Sequence, residues 1–205
     1  MANLDPASVS VINGSTNKVI TNITGVTAAR DLAYDSADRK MFVADVQGST
    51  IPRAGAISVI NITSNTLIDK IPAGSIIDGV VYDSSNGNVY AINAESPVTV
   101  IKASDDKVIG YITVGLNSLG GVFDSANGDV YVFNQGGSVS VIDGATDEVV
   151  TSIPAPDPVA GTYDSDNENI YAINYDHNVV SIIDTSTNVL VNTIAAGSGP
   201  VGSRQ

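Results

Sequence analysis

VYDSSNGNVYAINAESPVTVIKASDDKVIGYITVG, residues 81–115, is the stretch whose reading decides the fold. It alternates short β-branched runs with turn chemistry about every ten residues, the pattern of short strands rather than of a helix. Four strands follow: a, GVVYD (79–83); b, NVYAIN (88–93); c, PVTVIK (97–102); and d, KVIGYI (107–112). Between a and b, Asn86-Gly87 supplies the positive φ that a tight hairpin demands. Asn127-Gly128 and Asp166-Asn167 occupy the matching places elsewhere, and GATDE and TSTN make the corresponding turns between c and d.

The unit repeats along the chain. SVSVIN (8–13), AISVIN (56–61), PVTVIK (97–102), SVSVID (138–143) and VVSIID (179–184) bring Val11, Val59, Val100, Val141 and Ile182 into register, in steps of 48, 41, 41 and 41. AYDSADRKMFVAD (33–45), VYDSSNGNVYAIN (81–93), VFDSANGDVYVFN (122–134) and TYDSDNENIYAIN (162–174) align Asp35, Asp83, Asp124 and Asp164, in steps of 48, 41 and 40. The long step marks an insertion of about seven residues between Asp45 and Ala56. No window holds a helical period without Gly, Asn or β-branched interruption, so helices should be nearly absent. A four-stranded antiparallel unit of ~41 residues in tandem predicts an all-β chain, a β-propeller of about 4.5 repeats. A single domain over 1–205 would hold an N-terminal half blade (6–24), blades at 30–71, 78–112, 119–153 and 159–194, and a C-terminal partial strand at 199–205. The Val-Ile pairs of strand c, and the Tyr or Phe before each recurring Asp, would pack blade on blade. Gly79, Gly120, Gly121 and Gly161 would suit a crowded centre.

On these residues the chain resembles the YVTN-type propeller repeat, a family of archaeal surface-layer proteins and bacterial surface or secreted proteins. The tetrapeptide reads Tyr90-Ala91-Ile92-Asn93, Tyr131-Val132-Phe133-Asn134 and Tyr171-Ala172-Ile173-Asn174, and degenerately Phe42-Val43-Ala44-Asp45. Ser181 to Asp184 with Thr187-Asn188 and Thr193-Ile194-Ala195-Ala196-Gly197 continue the match. The resemblance covers nearly the whole chain, and it implies a propeller fold and a cell-surface or extracellular setting. It departs in blade count, since the family's rings usually carry about seven. Either the ring closes with five blades, the N-terminal c and d strands joining Pro200 to Arg204, or the chain is part of a longer protein, or it completes its ring through another copy. An open end would expose an apolar face and unpaired strand edges.

Composition narrows the function classes. Across 205 residues, 22 acidic against nine basic residues give a formal charge of −13, which repels phosphate backbones and anionic lipid. Neither nucleic acid nor a membrane span is expected, and MANLDPASVS lacks the pattern of a secretory signal. Without cysteine there is no disulfide framework and no thiolate or Cys-based zinc chemistry. Sequons at Asn13, Asn22 and Asn61 suit a glycosylated surface protein.

Positions fixed in every unit are explained by folding, which assigns Asp35, Asp83, Asp124, Asp164, Asp143 and Asp184 to turn hydrogen bonds. Positions that vary at one structural place are the candidates. Five residues before each recurring Asp stand Arg30, Asp78, Leu119 and Val159, where strand a enters the ring. Arg30 and Asp78 would either grip a polar ligand or form an inter-blade ion pair. Among the b–c loops, Arg53 in the insertion and Tyr175, Asp176 and His177 in YDHN are the binding candidates. His177 is the only histidine, and no G-x-S-x-G turn accompanies a serine. DSDNEN (164–169) lacks the glycine and terminal Glu of a calcium loop, and no cofactor is implied. The expectation is a non-enzymatic module that binds a protein or glycan or takes part in surface assembly. The rival is a lyase or hydrolase at the channel mouth, built on His177 or on Arg30 and Asp78.

Overall fold

The computed structural model describes residues 1–3, 7–47, 54–95 and 97–201, and every regular element among them is a strand. The first sheet holds β1 (Ala2–Asn3), β2 (Ser8–Asn13) and β3 (Lys18–Ile23). The second holds β4 (Ala29–Asp35), β5 (Lys40–Gln47), β6 (Ala54–Asn61) and β7 (Thr66–Gly74), and the third β8 (Ile77–Asp83), β9 (Asn88–Asn93), β10 (Val98–Lys102) and β11 (Lys107–Ile112). The fourth holds β12 (Ser118–Phe123), β13 (Asp129–Asn134), β14 (Ser138–Asp143) and β15 (Glu148–Pro154), and the fifth β16 (Pro158–Asp164), β17 (Asn169–Asn174), β18 (Val179–Asp184) and β19 (Val189–Ala195). Each is an antiparallel meander in chain order. The b and d runs read from the sequence coincide with β9 and β11.

The two ends of the chain differ most from expectation, while β7 runs on to Gly74, β8 begins at Ile77 and β10 begins at Val98. The N-terminal piece holds β1 as well as strands c and d. Asn3 Nδ2 donates to Ser8 Oγ (3.1 Å) and Ser10 Oγ (2.7 Å), as Asn134 Nδ2 does to Ser138 Oγ (3.2 Å) and Ser140 Oγ (3.0 Å), so β1 stands where strand b stands. At the other end, residues 199–201 belong to no strand, and the remaining residues of the expected partial strand lie outside the described ones.

The turns have one design. A connection of four residues, five between β12 and β13, closes on a residue in the left-handed region: Arg39, Gly87, Gly128 and Glu168 between strands a and b, and Asn17, Asn65, Asp106, Asp147 and Asn188 between c and d. In the fifth sheet the positive φ thus falls on Glu168, not on Asp166 or Asn167. The recurring aspartates cap these turns: Oδ1 of Asp35, Asp83, Asp124 and Asp164 accepts the amide two residues on, at 2.8, 2.7, 2.8 and 3.0 Å. Strand d carries a β-bulge at one recurring place in every sheet, whose extra residue is Ile20, Ile68, Ile109, Val150 or Val191, each exposed, and β7 carries a second at Ala73. A bulge sharpens twist and blunts an outer edge against pairing with another strand, which allows an aliphatic residue to sit there.

Sheet packs on sheet in chain order through the innermost strands, with β1 against β4, then β4, β8, β12 and β16 in succession. Alternate residues of b and c face opposite neighbours, so Tyr90, Ile92, Val98 and Val100 meet Val130, Val132 and Ile142 of the next sheet. Volume is exchanged across each seam. Small Ala2 and larger Leu32 pack on one cluster, and small Ala44 and larger Val80 share another. Larger Ile92 and Phe133 meet Gly121 and Gly161, where an added Cβ would lie 2.7 Å from Ile92 Cδ1 and 2.5 Å from Phe133 Cζ. Tyr82 and Tyr163 lean on Asp35 and Asp124 of the preceding sheet; burial, then that carboxylate, pushes both phenols up to about 12.

At the turn rim the sheets are latched. Tyr90 OH donates to Asp147 Oδ1 (2.5 Å) and Tyr131 OH to Asn188 Oδ1 (2.7 Å), while Lys40 Nζ pairs with Asp106 (2.8 Å). Asn86 Nδ2 and Asn127 Nδ2 reach the carbonyls of Gly144 (2.7 Å) and Thr185 (3.4 Å). At this rim Asp129 is pushed up to about 6, by burial first and then by the carboxylates of Asp143, Asp124 and Asp83. A raised carboxyl favours the fold while it is protonated, and that contribution fades as pH climbs through 6. Asp129→Asn should therefore stabilise the protein at pH 7 by on the order of 1 kcal/mol once solvent screening is allowed for, and should be neutral near pH 4. Urea titrations at the two pH values measure this.

Candidate functional site

The opposite rim, where strand a begins and the b–c loops lie, is built on a second recurrent bulge. The ladder between strands a and b slips between Ala29 and Asp31, Ile77 and Gly79, Ser118 and Gly120, and Pro158 and Ala160. The extra residues are Arg30, Asp78, Leu119 and Val159, the four variable positions singled out by comparing repeats. A bulge frees its residue from the ladder and re-aims the side chain, so these positions carry whatever the rim needs without disturbing the strand.

Arg30 and Asp78 are brought together: Arg30 Nη1 donates to Asp78 Oδ1 across the second and third sheets, with the carboxylate side chain 6% and the guanidinium side chain 36% exposed. Beside them Asp31, which the repeat comparison did not single out, accepts Leu32 N on Oδ1 and Val80 N of the third sheet on Oδ2, both at 3.0 Å. Its signal was there to read: a carboxylate stands where the other units place Gly79, Gly120 and Ala160. Asp31, Val80, Gly120 and Val159 are among the residues lining a cavity of about 80 Å³ between the innermost strands.

The loop between β17 and β18 carries the other candidates. Tyr175, Asp176 and His177 are exposed. His177 Nε2 lies 3.0 Å from Asp157 Oδ2, an aspartate held at φ 47° just before β16. Tyr175 lays its ring beside Gly199, where a Cβ would come within 3.3 Å of the ring. Arg53 lies outside the described residues. A roomier hollow of about 330 Å³ opens on the same rim, between Ala94, Glu95 and Pro97 of the third sheet's b–c loop and residues 113–117 leading to β12.

No family model matches the chain, and no curated protein matches it by sequence. Its fold is matched among solved structures. One is the hydrazine synthase of Kuenenia stuttgartiensis, with a TM-score of 0.73 and 18% identity over 83% of this chain and 49% of that one. This chain therefore spans about half the length of that structure, and the likeness is one of fold alone.

The geometry sorts the candidates into two pairs, Arg30 with Asp78 and His177 with Asp157, on different sheets and without a hydrogen bond between them among the described residues. Acid–base catalysis needs its groups within reach of one reacting atom. The hollow with room for a ligand is lined by neither pair, and among the described residues Glu95 is its one ionisable group. Among the described residues no three His, Asp or Glu side chains gather as a metal cluster would. Such a rim can recognise a surface by charge, aromatic contact and loop shape.

Proposed function

We propose that the chain is a β-propeller segment of the YVTN type acting as a non-enzymatic binding module, whose rim of strand-a bulges and b–c loops engages a protein or a glycan. What carries the reading is a separation: the pairs Arg30 with Asp78 and His177 with Asp157 stand apart from each other and from the hollow. The cavity between the innermost strands, about 80 Å³, is far below the ~300 Å³ at which small-molecule pockets begin, and the open hollow of about 330 Å³ only just reaches that size. The bulges support this as well, because they vary side chains at fixed positions while the scaffold beneath is held by repeated glycines, turns and latches. A cell-surface or extracellular setting accords with the chain's acidity and with exposed sequon residues Asn13 and Asn22.

The test is a screen of the chain on a glycan array and against immobilised cell-surface proteins, with Arg30→Ala/His177→Ala as the comparison. Binding weakened at least tenfold in the double variant, about 1.4 kcal/mol, supports the rim. Turnover of a polysaccharide or ester substrate that disappears with His177→Ala would establish the rival enzyme instead.

A further inference from the structure

Every internal seam joins a forward face to a backward face, and among the described residues two such faces are left without a neighbouring sheet, one at each end of the stack. On the fifth sheet the forward positions are Tyr171, Ile173, Val180, Ile182 and Ile194. Their counterparts in the fourth, Tyr131, Phe133, Val139, Val141 and Ile153, are all at most 3% exposed, whereas Ile194 is 45% exposed. On the first sheet the backward position of strand c is Ile12, 48% exposed, where its counterparts Ile60, Ile101, Ile142 and Ile183 are at most 1% exposed. Val19 and Met1 extend this open face.

The polar latch is divided in the same way. Tyr171 occupies the place of Tyr90 and Tyr131. Its hydroxyl accepts Asn167 Nδ2 (3.0 Å), as those of Tyr90 and Tyr131 accept Asn86 and Asn127. Its own proton, however, meets no protein acceptor among the described residues. The matching acceptor position, filled by Asp147 and Asn188 in the internal seams, is Asn17 in the first sheet, already held at φ 53° like its counterparts. The fifth sheet thus carries the donor half and the first sheet the acceptor half of a contact built twice within the chain. Among the described residues the first sheet packs on β4 with no strand a of its own, so that strand is not required for that seam. Within one chain no comparable packing joins the first and fifth sheets among the described residues.

We infer that the forward face of the fifth sheet docks on the backward face of the first sheet of a second copy of this chain, repeating the internal seam head to tail. The contact is heterologous, so it gives a ring or a growing chain of copies rather than a two-fold dimer. It is independent of what the rim binds.

Light scattering on the 205-residue chain over a concentration series should give a mass rising to at least twice the 21.0 kDa of one chain. Ile12→Asp spoils only the backward face and Ile194→Asp only the forward face, both at positions already exposed in the single chain. Each variant alone should remain at 21.0 kDa with unchanged circular dichroism. Mixed, they should form a species of two chains and nothing larger, since one good face of each survives. Tyr171→Phe should weaken association about tenfold while leaving the fold intact. Wild-type protein at 21.0 kDa throughout, whether its ends lie open or meet in one chain, overturns the inference. Association that both Asp variants retain overturns it too, because the contact would then lie elsewhere.

Discussion

Asp45→Ala should lower the unfolding free energy by about 3–5 kcal/mol, a melting temperature lower by about 10 °C or more. Asp45 is fully buried near the end of β5, and both carboxylate oxygens are in use. Oδ1 accepts Thr27 N (2.8 Å) and Ala28 N (2.9 Å), and Oδ2 accepts Ser58 Oγ (2.9 Å) and Lys70 Nζ (3.0 Å). Truncation strands those donors, and an unmatched buried donor costs about 1–3 kcal/mol. Asp45→Asn is the sharper probe, because Asn93, Asn134 and Asn174 fill the place elsewhere and donate to carbonyls or hydroxyls. Here an Asn amide would meet the Lys70 ammonium, donor to donor, so a loss of about 1–2 kcal/mol is expected. Burial alone would raise the Asp45 carboxyl, but the bonds from Ala28, Lys70, Thr27 and Ser58 outweigh it and hold the group below its ordinary 3.8. With a depressed folded value, the stabilisation is complete above the unfolded value and is lost as pH falls through the folded one. The gap between wild type and Asp45→Asn should be constant at neutral pH and close below about pH 4. A gap that persists unchanged in acid would mean that the charge contributes nothing.

What could be read in the sequence follows from what is local. Strands b and d, the Asp-capped turns and the close glycines are set by residues adjacent in the chain or one repeat apart, and comparing repeats exposed them. Arg30, Asp78, Leu119 and Val159 were found as variable positions, yet nothing about four such different side chains announces a bulge. That appears only when paired strands are counted against each other. The His177 and Asp157 pair escaped for another reason: a loop tip and the lead into strand a are brought together by the width of the sheet, which no spacing rule encodes. β1 is too short to show a period. Whether such a stack of sheets closes on itself is less legible still, because that depends on the sum of small rotations between sheets rather than on any residue.

The exchange of volume across the seams leads to the second large effect. Gly161→Val alone should destabilise by about 3 kcal/mol, the upper end for an overpacked core, since its Cβ would lie 2.5 Å from Phe133 Cζ and 2.8 Å from the carbonyl oxygen of Tyr171. Phe133→Ala alone should cost about 3–5 kcal/mol through the cavity left by a ring that is 1% exposed. Together they reproduce the residues that stand at the matching positions of the second and third sheets, Ala44 and Val80, which share one core cluster. The double variant should therefore lose less than the two single losses combined, with an interaction energy of about 2–3 kcal/mol in a double-mutant cycle by urea denaturation. Coupling of that size would establish that the glycine of strand a is dictated by the side chain arriving from the preceding sheet, so that Ala2 with Leu32, Ala44 with Val80, Ile92 with Gly121 and Phe133 with Gly161 are four fillings of one space. Strict additivity would assign the glycine instead to the close Tyr171 carbonyl, a constraint of backbone approach within the fifth sheet. In that case Gly161→Val would stay costly whatever stands at position 133.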